Sequence, residues 1–122
     1  MKTNINSEIG KLEGVIIHTP GSEVENMTPG NAERALYSDI LNLSIASEEY
    51  AQLRGVLKKV SEVFEVKQLL ADILKDEAVK TELLKEICNQ EKVTGLNEKL
   101  TENSAAHLAN LLIEGVILER NN

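Results

Sequence analysis

The stretch from residue 14 to residue 21 reads Gly-Val-Ile-Ile-His-Thr-Pro-Gly. Its β-branched apolar residues favour a β-strand, and the Pro-Gly pair predicts a turn directly after it. Because the apolar residues are consecutive and do not alternate with polar ones, the pattern predicts a strand covered on both faces. Strands of this kind are typical of α/β proteins, so we expect an α/β fold in which a helix and a second strand follow.

A helix and a second strand are both predicted downstream. Ser47 is the predicted N-cap of a helix that carries Glu48 and Glu49 in its first turn and ends near Ser61. Residues 63–66, Val-Phe-Glu-Val, predict the second strand. The order strand, helix, strand predicts parallel pairing with a right-handed crossover.

The segment between the first strand and this helix predicts a shorter helix and a loop. Thr28 before Pro29 is typical of a helix N-terminus, so we expect a short helix over residues 31–37. Residues 38–44 are mixed in character and are predicted to be a loop.

The chain after residue 68 predicts helices only. A short helix is expected over residues 69–74, and a longer one follows with Asp76 as its N-cap. A third helix is expected over residues 96–100, and a last one begins at an N-cap of Asn103 or Ser104. Gly115 in this last helix indicates close packing or an early helix end. We therefore expect two domains, an α/β unit over residues 1–74 and a helical unit over residues 75–122. Two strands do not make a stable sheet, so we expect homo-oligomers or self-association through unpaired strand edges.

Composition argues against several function classes. The 122 residues carry a formal net charge of −7, with 13 Lys and Arg against 20 Asp and Glu, which disfavours nucleic-acid binding. One Cys cannot form an intrachain disulfide or a Cys-based zinc site. The first residues predict no signal peptide, and no apolar stretch is long enough to predict a membrane-spanning helix. We therefore expect a cytoplasmic protein with no metal, no nucleic-acid partner and no membrane partner.

The side chains of catalytic types do not form a complete set. Cys88 comes late in a helix, where the dipole disfavours a thiolate, and we expect a small buried side chain. His18 ends the first strand, where α/β proteins bind ligands, although a partly buried polar role is favoured. His107 is expected on a helix surface. Asp39 is a carboxylate in a loop flanked by apolar residues.

Several segments, taken in order, resemble bacterial arginine deiminases. Residues 7–12, Ser-Glu-Ile-Gly-Lys-Leu, resemble the SExGKL run that precedes the first strand of that family. Residues 37–40, Tyr-Ser-Asp-Ile, are similar to its FDDI motif, with Ser38 in place of the first Asp. Residues 111–116, Leu-Leu-Ile-Glu-Gly-Val, resemble its late LIxG segment. The resemblance covers nearly the whole chain.

The resemblance implies a fold and an activity. Its superfamily modifies guanidino groups on a five-bladed β/α propeller, the pentein fold. The chain would be a partial blade of that propeller, strand-helix-strand, followed by the start of a helical insertion domain. Arginine deiminases hydrolyse L-arginine to L-citrulline and ammonia, using a Cys nucleophile, a His acid and base, and two Asp residues that hold the guanidinium. No metal or organic cofactor is implied.

None of the family's catalytic residues has a counterpart in this sequence, because they belong to motifs expected beyond residue 122. The 122-residue chain alone is therefore expected to be inactive, and Cys88 is not the nucleophile by position. The resemblance leaves Asp39 and Glu8 as candidate substrate-binding residues. Two alternatives stay open: a stand-alone interaction or regulatory module that keeps the same fold, and part of a related amidinotransferase.

Overall fold

The computed structural model describes residues 3–26, 41–93 and 100–115. These residues form a mixed α/β structure with two parallel strands and five helices. In chain order the elements are β1 Gly14–Ile17, α1 Ser22–Glu25, α2 Leu43–Val60, β2 Glu62–Glu65, α3 Val66–Ile73, α4 Glu77–Gln90 and α5 Ala105–Glu114. The predicted α/β class is confirmed. The helix predicted over residues 31–37 lies outside the described residues.

The two strands pair in parallel, as the strand-helix-strand order predicts. Ile16 is opposite Phe64 in the register, and Ile17 is opposite Glu65. Side chains alternate across a sheet, so Glu65, which contacts α2, faces the other side from Phe64 and Ile16. Ile16 is 62% exposed. The expectation of a strand covered on both faces is therefore wrong at Ile16, because α2 packs against one face only.

Helix α2 begins five residues earlier than the sequence predicts. Asn42 is its N-cap, and its Oδ1 accepts hydrogen bonds from the backbone amides of Ser44 and Ile45. The predicted Ser47 cap is thus wrong, and the predicted loop is wrong at residues 43 and 44, which are helical. Residues 41 and 42 precede the helix as expected, and residues 38–40 of that loop lie outside the described residues. Asn and Ser are equally good N-caps, and the earlier one gives the helix another turn. The predicted end is confirmed, since Ser61 is the C-cap.

Strand β2 runs directly into α3. The strand was predicted over residues 63–66, but it ends at Glu65, and Val66 is the first residue of the helix. The helix predicted over residues 69–74 therefore starts three residues early. Val66, Leu70 and Ile73 continue the helical spacing of its apolar side chains, which explains the earlier start.

The caps of the last two helices follow the sequence. Asp76 accepts hydrogen bonds from the amides at the start of α4, and the Ser104 hydroxyl accepts one from the amide of His107 in α5. Gly115 ends α5 with a φ of 83°, a left-handed conformation that glycine adopts without strain. The early helix end indicated by Gly115 is confirmed. Of the helix predicted over residues 96–100, only Leu100 is described.

The core of the described residues lies between the helices. Its buried members are Ala71, Leu74, Leu84, Leu100, Leu108 and Ala109. Lys80 is also buried, and its Nζ donates a hydrogen bond to the backbone carbonyl of Asn103 at 3.0 Å. The cluster joins α3 to α4 and α5. None of the described helices is long and apolar enough to cross a membrane.

Candidate functional site

A polar cluster lies at the carboxyl ends of the two parallel strands, with Glu65 at its centre. Thr19, two residues after β1, donates its hydroxyl hydrogen to Glu65 Oε2 at 2.9 Å. Tyr50 on α2 donates its phenol hydrogen to the same carboxylate, with its OH 3.1 Å from each oxygen. Because parallel strands end at the same sheet edge, the pairing brings side chains that are far apart in sequence to one carboxylate.

Arg54 completes the cluster from the next turn of α2. Its Nε lies 3.0 Å from Glu65 Oε1, and the two side chains are 41% and 19% exposed. The Nε is shielded from solvent and makes no aligned hydrogen bond, so its contact with Glu65 is an ion pair. The spacing of four residues puts Tyr50 and Arg54 on one face of α2, toward the sheet. Glu65 therefore joins β1, β2 and α2.

A cavity of about 300 Å³ opens beside this cluster along α2. Its lining residues are Thr19, Ser47, Tyr50, Ala51, Arg54, Gly55 and Lys58. The small side chain of Ala51 and the absence of one at Gly55 leave the space. Hydroxyl and cationic groups contribute to the lining, but most of its surface is apolar. Ser47, predicted to be a helix cap, is instead part of this wall.

A second pair lies beside the end of β1. The His18 Nε2 is 2.8 Å from Glu23 Oε1, and the Gly21 amide donates to the same oxygen at 2.8 Å. Partial burial acts to raise the pKa of Glu23, but the hydrogen bonds from His18 and the backbone amides, with the His18 charge, lower it more. The net result is a pKa below the usual 4.5. His18 thus holds the turn after the strand.

The cluster around Glu65 is arranged to hold the two strand ends and α2 together, and not to transfer protons. Burial of the Tyr50 phenol is the largest effect on its pKa and raises it. The Thr19 hydroxyl lowers this pKa, whereas the hydrogen bond to Glu65 and the negative charge of the Glu65 carboxylate raise it further. Tyr50 therefore stays a neutral donor. Within the described ranges, no group of three or more His, Cys, Asp and Glu side chains is placed to hold a metal ion.

The raised pKa of Tyr50 gives a measurable expectation. In a Tyr37→Phe background Tyr50 is the single tyrosine, and its ultraviolet titration should have a pKa above the usual 10.0. The folded chain holds this proton more tightly than the unfolded chain, so stability should fall as the pH rises past about 10. Glu65→Gln should lower the Tyr50 pKa but leave it above the usual value, because burial remains. A pKa at the usual value in the parent background would contradict the cluster.

Of the two predicted substrate-binding residues, Glu8 is not part of this cluster. Asp39 lies outside the described residues. Glu8 is exposed in the segment before β1, Cys88 is buried in α4 as expected, and His107 is exposed on α5 as expected.

Sequence reasoning missed Glu65 and its partners on α2. The four-residue spacing of Tyr50 and Arg54 was visible in the sequence, but nothing local connects it to Glu65.

Comparison with known proteins gives the chain its relatives. No family model matches it. The arginine deiminase of Limosilactobacillus reuteri is 37% identical over 120 residues, which is 93% of this chain and 29% of that protein. The arginine deiminase of Pediococcus pentosaceus is 36% identical over 120 residues, with 30% of that protein covered. That of Clostridium perfringens is 38% identical over 78 residues, 64% of this chain.

These comparisons agree with the motifs in the sequence. The first two of these relatives match 93% of this chain. The chain in turn spans about three tenths of their length. Similarity that extends through both the strand-helix-strand segment and the later helices is not the chance match of one motif. By homology over nearly its whole length, the chain corresponds to part of an arginine deiminase.

Proposed function

We propose that the chain forms part of a hydrolase that converts L-arginine and water to L-citrulline and ammonia. The observation that carries the proposal is the 37% identity over 120 residues to an arginine deiminase. In this proposal residues 1–74 supply a strand-helix-strand piece of a pentein propeller, and residues 75–122 begin a helical insertion. The protein acts in the cytoplasm, and the catalytic Cys, His and Asp residues are supplied by other parts of it.

The Glu65 cluster supports a structural role for this segment. Tyr50 and Arg54 attach α2 to the end of β2, and Thr19 attaches the end of β1 to the same carboxylate. Such an arrangement fixes the sheet edge at which α/β proteins bind their ligands. Asp39 and Glu8 are the proposed substrate contacts of this segment, since a carboxylate is a suitable partner for a guanidinium group.

A chimera tests the proposal. The matching 120 residues of the Limosilactobacillus reuteri arginine deiminase are replaced by those of this chain. We expect the chimera to form citrulline from arginine, and the 122-residue chain alone to give background levels. Asp39→Asn and Glu8→Gln in the chimera should raise the KM for arginine, because each weakens a contact to the substrate.

Three outcomes would contradict the proposal in different ways. Citrulline formation by the chain alone, abolished by Cys88→Ala, would make Cys88 a nucleophile. A soluble but inactive chimera, together with a monodisperse oligomer of the isolated chain, would favour a stand-alone interaction or regulatory module. Transfer of the amidino group to an amine acceptor, in place of water, would favour an amidinotransferase.

A further inference from the structure

The cavity along α2, which we call the α2 cavity, has a cationic lining in an acidic chain. Arg54 and Lys58 are four residues apart, so both lie on one face of the helix, toward its C-terminal end. None of the described lining residues is acidic, although the chain carries 20 Asp and Glu against 13 Lys and Arg. Glu65 pairs with Arg54, but no ion pair of Lys58 is found in the part of the chain that the structure describes. The charge of Lys58 is therefore open to an anion.

Gly55 keeps the middle of the α2 cavity open, although the described fold does not require a glycine there. A glycine inside a helix is less favourable than almost any other residue. A Cβ built on Gly55 would meet no atom within 4 Å, so close packing does not require it. Its backbone is helical, so no left-handed conformation requires it either. A glycine with neither reason is typical of a place where a ligand approaches the backbone closely.

The lining changes from cationic to apolar along the helix. Arg54 and Lys58 lie toward the C-terminal end, Ala51 and Gly55 lie between them and Ser47, and most of the surface is apolar. The helix rises about 16 Å from Ser47 to Lys58. A volume of about 300 Å³ is at the lower end of the range for ligand pockets, so the cavity suits a small molecule. An anionic head on a short hydrocarbon body matches both parts of the lining.

We propose that the α2 cavity binds a small aliphatic carboxylate. The terminal guanidinium nitrogens of Arg54 and the ammonium group of Lys58 hold the carboxylate, and the hydrocarbon body lies over Ala51 and Gly55. Arg54 can serve both partners, because its Nε faces Glu65 while its terminal nitrogens carry four further N–H donors. The proposal does not rest on the arginine deiminase function, since the guanidinium group of arginine would be repelled by two basic side chains.

A titration of the 122-residue chain with hexanoate tests the proposal. In the nitrogen–proton NMR spectrum we expect the amides of Ala51 and Gly55 to shift, and the shifts to saturate with a Kd of about 1 mM. Hexan-1-ol has the same body without the charge, and acetate has the head alone, so each should bind about tenfold more weakly or worse. Equal affinity for acetate or inorganic phosphate would mean an adventitious ion only. That result, or shifts that do not saturate, would overturn the proposal.

Two neighbouring lysines separate a specific contact from general charge attraction. Lys58→Gln should raise the Kd for hexanoate about tenfold, because it removes the cation that no described carboxylate balances. Lys59→Gln is the matched control, since Lys59 is also exposed and the charge change is the same, but it does not line the cavity. It should leave the Kd within about twofold. Equal effects at the two lysines would reject the proposal.

Filling the cavity tests where the hydrocarbon body lies. Gly55→Leu should abolish hexanoate binding and raise the midpoint of urea unfolding, because leucine favours a helix and the space above Gly55 is open. Gln52→Leu is the matched control: Gln52 is exposed on the same helix but does not line the cavity, so the Kd should not change. Hexanoate binding that survives Gly55→Leu, or a lower urea midpoint, would contradict the proposal.

Discussion

Leu108→Ala should lower the free energy of unfolding by about 3 kcal/mol. Leu108 has no exposed surface and lies in the core with Leu74 and Leu84. The substitution removes the transfer free energy of the deleted carbons and leaves a cavity, since α3 and α4 can close around it only in part. Domains are stable by about 5–15 kcal/mol, so the loss is a large share of the total.

Urea unfolding followed by far-ultraviolet circular dichroism measures this loss, since the chain has no tryptophan to serve as a fluorescent probe. Leu41→Ala is the matched control: the same chemical change at a leucine that is 48% exposed, where the free energy should change by about 0.5 kcal/mol or less. Equal losses at the two positions would mean that α5 does not pack in the core of the isolated chain.

The helical core could be predicted from the sequence because its signals are local. Leu108, Leu111 and Leu112 repeat at the spacing of one helix face, and Ser104 is the cap three residues before His107. Asp76 gives the same signal for α4. Each of these features depends on neighbours within one or two turns, so no knowledge of the tertiary structure is needed.

Boundaries were less predictable where two local solutions compete. Asn42 and Ser47 can both cap a helix, and the sequence between them includes an aliphatic residue at Ile45 that suits either. The choice of Asn42 lengthens α2 and leaves Ser47 in the cavity wall. Similarly, Val66 suits a strand or a helix, and it becomes the start of α3.

The Glu65 cluster could not be predicted because its contacts are distant in sequence. Thr19 is 46 residues from Glu65, and Tyr50 is 15 residues from it. Parallel pairing brings the two strand ends together, but which side chains meet depends on the register. The family, by contrast, was predictable from short ordered motifs such as residues 7–12, and the 37% identity to an arginine deiminase bears this out.

Glu65→Ala should lower the free energy of unfolding by about 2 kcal/mol. The change leaves the phenol of Tyr50 and the hydroxyl of Thr19 without their acceptor, and it leaves the Arg54 charge unpaired. Loss of a partner from a fully buried ion pair costs more, about 3–5 kcal/mol. The Arg54 side chain is 41% exposed, so water screens part of its charge and the expected loss is smaller.

Glu65→Gln separates the ion pair from the hydrogen bonds. Its amide oxygen still accepts a hydrogen bond from Tyr50 or Thr19, but it carries no charge for Arg54, so we expect a loss of about 1 kcal/mol. Glu62→Gln is the matched control, because Glu62 is exposed at the start of the same strand, and the expected change is within about 0.5 kcal/mol. Urea unfolding measures all three variants.

The Tyr50 titration distinguishes loss of the cluster from a general loss of packing. If Glu65 holds the sheet edge to α2, Glu65→Ala in a Tyr37→Phe background should lower both the stability and the Tyr50 pKa, because the carboxylate contributes to both. A stability loss with an unchanged Tyr50 pKa would show that the phenol does not contact Glu65. Arg54→Met should then add little to Glu65→Gln, since removing both members of a coupled pair costs less than the sum of the single losses.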